Sequence, residues 1–168
     1  MILLVLGGEK SGKSGLAYER FREAPGPGTV LAMGLARDEA FRRQILAHRL
    51  ERDPAFPVTE PGAELPSALE AQRTGGRKVL VDSLDFWLFT CMEDGRIRTG
   101  ELLEALEGYR APDAPLCALV SCEVGLGPIA PSSLARRFAR EQGALNQALA
   151  ALAQEALLVV AGLPLRLK

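Results

Sequence analysis

Along the chain, short runs that are apolar at every position alternate with longer stretches in which apolar residues return every three or four places. Residues 2–6 are apolar throughout and stop at Gly7-Gly8, the mark of a parallel strand buried on both faces and placed centrally in its sheet. Helix formers fill residues 12–23, Pro25-Gly26-Pro27-Gly28 breaks the chain, and residues 29–33 form a second apolar run, giving a strand, helix, strand unit. Phe41, Ile45 and His48 share one stripe of a helix expected over residues 37–52, ended by Pro54 and Pro57. A short helix over 66–72, a turn at Gly75-Gly76, a third strand over 78–82 and a buried helix over 84–92 follow. The remaining pattern predicts an exposed helix over 99–110 and a fourth strand over 116–121. The longest helix is expected over 131–155, with Leu134, Phe138, Leu145, Leu149 and Leu152 on one stripe. A fifth strand over 157–160 turns at Gly162, Leu163 and Pro164 into an edge strand over 165–168.

Strands alternating with helices predict an α/β fold: a mostly parallel, twisted sheet with helices on both faces and a C-terminal edge hairpin, all within one domain spanning 1–168. Ligands of such sheets bind beyond the carboxyl ends of the strands, which directs attention to Gly7–Ser14, Gly34, Asp82 and Glu123.

Composition narrows the function without naming it. Twenty basic residues against 21 acidic ones leave a net charge of -1, and the two signs are interleaved, so no nucleic-acid partner is expected. The apolar start is too short for a signal sequence, and no run reaches the roughly 18 apolar residues that span a bilayer, so a cytoplasmic chain without membrane insertion is expected. Cys91, Cys117 and Cys122 lack the paired short spacing of zinc or redox sites and are expected to be reduced, mostly buried thiols.

Gly7-x-x-x-x-Gly12-Lys13-Ser14 matches the phosphate-loop pattern and falls between a predicted strand and a predicted helix, the context the pattern needs. Glycines let successive amides converge on phosphate oxygens at a helix N-terminus, Lys13 adds a point charge, and the Ser14 hydroxyl suits Mg2+. Asp82, at the end of an apolar strand, fits two roles, the acid that holds the water shell of Mg2+ and an ordinary helix cap. His48, the single histidine, fits a packed core residue or a catalytic group. Arg49 and Arg52 beside it suit phosphate or a solvated helix face, as do Arg136, Arg137 and Arg140 farther on, for which solvent or a neighbouring subunit is the simpler partner. Three function classes are open on the residues alone: transfer of a nucleotide through His48, a P-loop kinase in which His48 packs, and a nucleotide-binding regulatory module.

Taken in order, several pieces resemble one family. They are the N-terminal phosphate loop, His48-Arg49 with Arg52, Asp82 with Leu84 and Trp87-Leu88, Glu123-Val124-Gly125-x-Gly127, and Leu134-Ala135-Arg136-Arg137-Phe138 running to Leu145-Asn146-Gln147. The chain is similar to the bifunctional adenosylcobinamide kinase and adenosylcobinamide-phosphate guanylyltransferase family of cobalamin biosynthesis. The resemblance implies a RecA-like P-loop NTPase fold, a homotrimer, GTP and ATP as substrates with Mg2+, and a histidine that carries GMP. It assigns that role to His48 and a catalytic charge to Lys13. Nucleotide contacts are implied for Gly7, Gly8, Glu9, Lys10, Ser11, Gly12, Lys13 and Ser14, for Ala32, Met33 and Gly34, and for Arg49, Leu50, Glu51, Arg52, Glu60 and Asp82. Ser14 and Asp82 are implied as the Mg2+ pair, the contact running through water. The chain departs from the family's common residues at Glu9-Lys10, Met33 and Cys122, all on the nucleotide side, and is short between residues 92 and 116.

Overall fold

The computed structural model of the chain describes residues 1–33, 56–128 and 132–168. The helix expected over 37–52 lies outside the described residues, and with it Gly34, His48, Arg49, Leu50, Glu51 and Arg52.

Seven strands form one sheet: β1 (Ile2–Gly7), β2 (Gly28–Ala32), β3 (Val58–Thr59), β4 (Lys78–Asp82), β5 (Cys117–Cys122), β6 (Glu155–Val160) and β7 (Leu163–Arg166). Their spatial order is β3-β2-β4-β5-β1-β6-β7, parallel at every pairing except the closing hairpin of β6 and β7. β1 is therefore an interior strand, as its unbroken apolar run requires. Leu3 and Val5 point into one core, while Ile2, Leu4 and Leu6 point into the other.

The smaller core lies under α1 (Lys13–Glu23), which contributes Ala17 and Phe21. The larger core, on the opposite face, lies under α2 (Leu65–Thr74), α3 (Leu84–Glu93), α4 (Thr99–Glu107) and α5 (Ser133–Leu152). Helices thus cover both faces, as a parallel sheet demands.

Several expectations are revised. The helix over 99–110 is not exposed: Leu102, Leu106 and Tyr109 are fully buried, and the Tyr109 hydroxyl donates to the Leu69 carbonyl at 2.8 Å. Leucines four apart give α4 an apolar stripe that faces α2, and a 3-10 turn, Gly108–Arg110, carries Tyr109 into the same contact. The long helix ends at Leu152, so β6 begins at Glu155. Leu134 leaves the buried stripe and is 56% exposed, because the first turns of α5 extend past the sheet while Leu145 and Leu149 sit over it. The hairpin turns at Ala161-Gly162, both at positive φ, the conformation that matches strand twist, so β7 starts at Leu163 rather than 165. Pro164 is tolerated because β7 is an edge strand. The edge pairing of β3 with β2 gave no sequence signal, being only two residues long.

Lys78 opens β4 and is buried at 2% exposure. Its ammonium donates to the carbonyls of Arg22, at 3.3 Å, and Ala24 at the end of α1, and lies 5.0 Å from the centroids of Phe21 and Phe56. Burial pushes its pKa down, yet these carbonyls and rings hold it in place. Lys78→Met keeps the packing but strands both carbonyls, and is expected to cost about 1–3 kcal/mol in a urea melt. A melt unchanged by the substitution would refute the capping role.

Candidate active site

The sheet assembles the site at the carboxyl ends of β1, β4 and β5. The chain leaves β1 at Gly7, where a side chain is sterically barred: a Cβ there would stand 2.4 Å from Ser11 Oγ and 2.8 Å from the Val159 carbonyl oxygen. The loop then curls through Lys10 and Gly12, both at positive φ, and delivers the chain into α1. Three contacts fix its shape. The Ser11 amide donates to Gly8 O at 3.3 Å, the Gly162 amide to Ser11 O at 2.8 Å, and the Glu123 amide to Gly7 O at 3.0 Å. Both neighbouring strands therefore brace the loop, β6 through its hairpin turn and β5 through the residue that follows it. Gly7→Ala is expected to lower stability and nucleotide affinity together, by about 1–3 kcal/mol in a melt, because the loop and Val159 cannot both keep their positions.

α1 begins with Gly12 as an N-cap that makes no side-chain bond, and no acid stands in its first turn. Its amides and the positive end of its dipole are left to an anion. Lys13 is 9% exposed and folds back over the loop, its ammonium donating to Gly8 O at 3.1 Å. A converging set of amides with an ammonium above them binds phosphate oxygens.

The Ser14 hydroxyl donates to Asp82 Oδ1 at 3.1 Å, joining β1's loop to the end of β4. Among the described residues no group of three or more carboxylates, cysteines or histidines is placed to hold a metal ion. One hydroxyl and one carboxylate suit Mg2+, which keeps most of its water and takes few protein ligands, so the residues present fit that ion.

The end of β5 carries a buried polar network. Ser121 Oγ donates to Asn146 Oδ1 at 2.6 Å, and Gln142 Nε2 donates to both Ser121 Oγ at 2.8 Å and Asn146 Oδ1 at 3.1 Å. Asn146 Nδ2 in turn donates to the Cys122 carbonyl at 3.1 Å and to Glu123 Oε2 at 3.5 Å. Glu123 Oε1 accepts the Gly125 amide at 2.8 Å. The network pins the loop after β5 to α5 and so holds the brace on Gly7. The three cysteines are free thiols, with Cys91 and Cys117 buried and Cys122 partly so, and burial raises the pKa of each. None is poised as a nucleophile.

The structure brings Gly7–Ser14 together with Asp82. It sets Ala32 and Glu60 at the ends of neighbouring strands, β2 and β3, with Met33 N donating to Asp82 O at 3.0 Å. The Met33 side chain is packed in the larger core at 2% exposure, so only its backbone faces this edge. Two features escaped sequence reasoning. One is the Ser121, Gln142 and Asn146 network, whose i, i+4 pair on α5 was the available signal. The other is Asp85, three residues past Asp82 in the first turn of α3.

Comparison with known proteins places this geometry. The profile of a family described as cobinamide kinase / cobinamide phosphate guanyltransferase matches residues 3–167. The chain is 35% identical over 167 residues to the bifunctional adenosylcobalamin biosynthesis protein CobP of Pseudomonas aeruginosa, covering 98% of this chain and 96% of that one. It is 28% identical over 186 residues to the bifunctional adenosylcobalamin biosynthesis protein CobU of Escherichia coli, covering both completely. Among solved structures, an ATPase from the type III secretion system of pathogenic bacteria superposes with a TM-score of 0.53 at 14% identity. The match covers 94% of this chain and 51% of that one, a likeness of fold alone.

Proposed function

This chain belongs to the cobinamide kinase / cobinamide phosphate guanyltransferase family, and from that premise we propose that it performs both of the family's reactions at the carboxyl edge of its sheet. It phosphorylates the hydroxyl of adenosylcobinamide with ATP or GTP, then moves GMP from GTP onto the resulting phosphate. The observation that carries this reading is the phosphate loop itself, with Lys13 folded over it and Ser14 bonded to Asp82.

In the second reaction a neutral His48 imidazole nitrogen attacks the α-phosphorus of GTP. A nitrogen–phosphorus bond forms, the bond to the bridging oxygen breaks, and pyrophosphate leaves. The acceptor phosphate then displaces the histidine, giving adenosylcobinamide-GDP. Gly7–Ser14 hold the phosphates through backbone amides, and Lys13 meets the charge that grows on the departing pyrophosphate. Ser14 and Asp82 would hold Mg2+, which supplies charge neutralisation when bound. Ala32, Met33, Gly34, Arg49, Leu50, Glu51, Arg52 and Glu60 complete the nucleotide contacts in this reading. The active unit is a homotrimer. No helix among the described residues is long and apolar enough to cross a membrane.

Intact-protein mass spectrometry after incubation with GTP and Mg2+, quenched at alkaline pH because phosphoramidates are acid-labile, tests the reading. A mass gain of one GMP is expected. Bound GTP without any adduct would overturn the guanylyl step.

A further inference from the structure

α3 is apolar on both its faces. Leu84, Trp87, Leu88 and Cys91 pack into the larger core, so a surface helix would turn polar residues outward. Its exposed residues are instead Phe86, Phe89 and Glu93, which share one stripe. The apolar surface continues onto α5. The ring of Phe89 meets that of Phe138 edge to face, with centroids 6.3 Å apart, and Leu134, four residues before Phe138, is exposed on the same side of that helix. An apolar side chain standing alone on a surface is ordinary. Three phenylalanines and a leucine joined across two helices are a patch of the kind that ligands and partners cover.

The strands decide where this patch lies. α3 starts at Leu84, two residues past the Asp82 that closes β4, so Phe86 stands in its first turn, at the edge of the sheet that holds the phosphate loop. α5 sets out from the same edge. It follows the segment that leaves β5 at Glu123, whose amide donates to Gly7 O, and its first turns carry Leu134 and Phe138. On that segment Leu126 is 81% exposed. The other large exposed apolar residues among those described, apart from Met1, belong to the closing hairpin: Val160, Leu163, Leu165 and Leu167.

The two reactions supply an occupant. Their acceptor carries its reacting oxygen on a short arm of a corrin, a macrocycle much larger and more apolar than the arm. When that oxygen meets a phosphorus held at Gly7–Ser14, the macrocycle has to rest against what the chain presents at this edge, and aromatic rings suit a broad conjugated one. Resting on the functional reading above, we propose that Phe86, Phe89, Leu134 and Phe138 seat the corrin ring of the acceptor, with Leu126 at the rim. The face binds and orients and takes no part in making bonds. It serves both half-reactions alike, because adenosylcobinamide and its phosphate share the ring.

Phe89→Ser and Leu134→Ser test this, since both side chains are exposed and a melt shows whether the fold is kept. In each variant the KM for adenosylcobinamide and the KM for its phosphate should rise together by about tenfold, the scale of one apolar side chain buried against a ligand. The KM for nucleotide and the yield of GMP adduct from GTP alone, a step without acceptor, should stay within about threefold. Phe89→Leu, which keeps an apolar surface, should recover most of the acceptor affinity. Acceptor KM values within about twofold of wild type in both serine variants overturn the proposal. So does a variant that falls to monomers in size-exclusion chromatography with its acceptor KM unmoved, which would give the face to a second copy of the chain. Wild-type protein that forms no adduct and turns over neither acceptor would overturn the functional reading itself, a result distinct from either of these.

Discussion

Lys13→Met is expected to silence both half-reactions while leaving the protein folded. The substitution keeps the length of the side chain and removes only its charge and its bond to Gly8 O. Lys13 is only 9% exposed, and a charge so placed acts through a lower effective dielectric than in water, so its loss from a transition state that gathers charge on the phosphates is felt strongly. Losing one such donor typically costs about 100- to 1000-fold in kcat. Folding should change little, since a desolvated cation contributes little to stability of its own. Nucleotide affinity should weaken less than turnover, because the loop amides and the N-terminus of α1 still bind the ground state. Steady-state assays of each half-reaction, with nucleotide binding measured by calorimetry, check this. A variant within tenfold of wild type would mean that Lys13 does not face the reacting phosphates.

That residue was legible in the sequence because its role depends on a local arrangement. A strand ending in glycines, a lysine-serine pair and a helix start are fixed within 13 residues, and β1, the loop and α1 formed as their spacing required. Asp82 was legible for a similar reason, since an acid closing an apolar strand lies at the carboxyl edge wherever that strand pairs. What the sequence hid is set by contacts between distant segments. Ser121, Gln142 and Asn146 form one network only because α5 crosses the end of β5, and nothing in their spacing states which helix covers which strand. Asp85 carries no signal of its own in the sequence, and its unpartnered Oδ1 exists only in the packed fold.

The same division explains the corrections. A leucine pair four apart, with a tyrosine three residues on, reads as exposed helix when its neighbours are charged. It becomes core once α2 supplies the opposing face. Leu134 shows the reverse case, because periodicity extends a stripe to the end of a helix whether or not the sheet below extends as far. Hydrophobic period predicts which face is apolar, and only packing decides how much of it is covered.

His48→Asn is expected to abolish the GMP adduct and to reduce guanylyl transfer by about 1000-fold or more, with phosphate transfer to the corrinoid hydroxyl kept within a few fold. The asymmetry follows from the chemistry assigned to each group. Asparagine keeps polarity and approximate size but has no nitrogen lone pair able to displace pyrophosphate, so no covalent intermediate forms, whereas the phosphate loop that serves the kinase step is untouched. Only the unprotonated imidazole has a nitrogen lone pair free to attack phosphorus. An adduct of undiminished yield in His48→Asn would place the nucleophile elsewhere and dismantle the assignment, while loss of both half-reactions would make His48 a structural residue of a shared site.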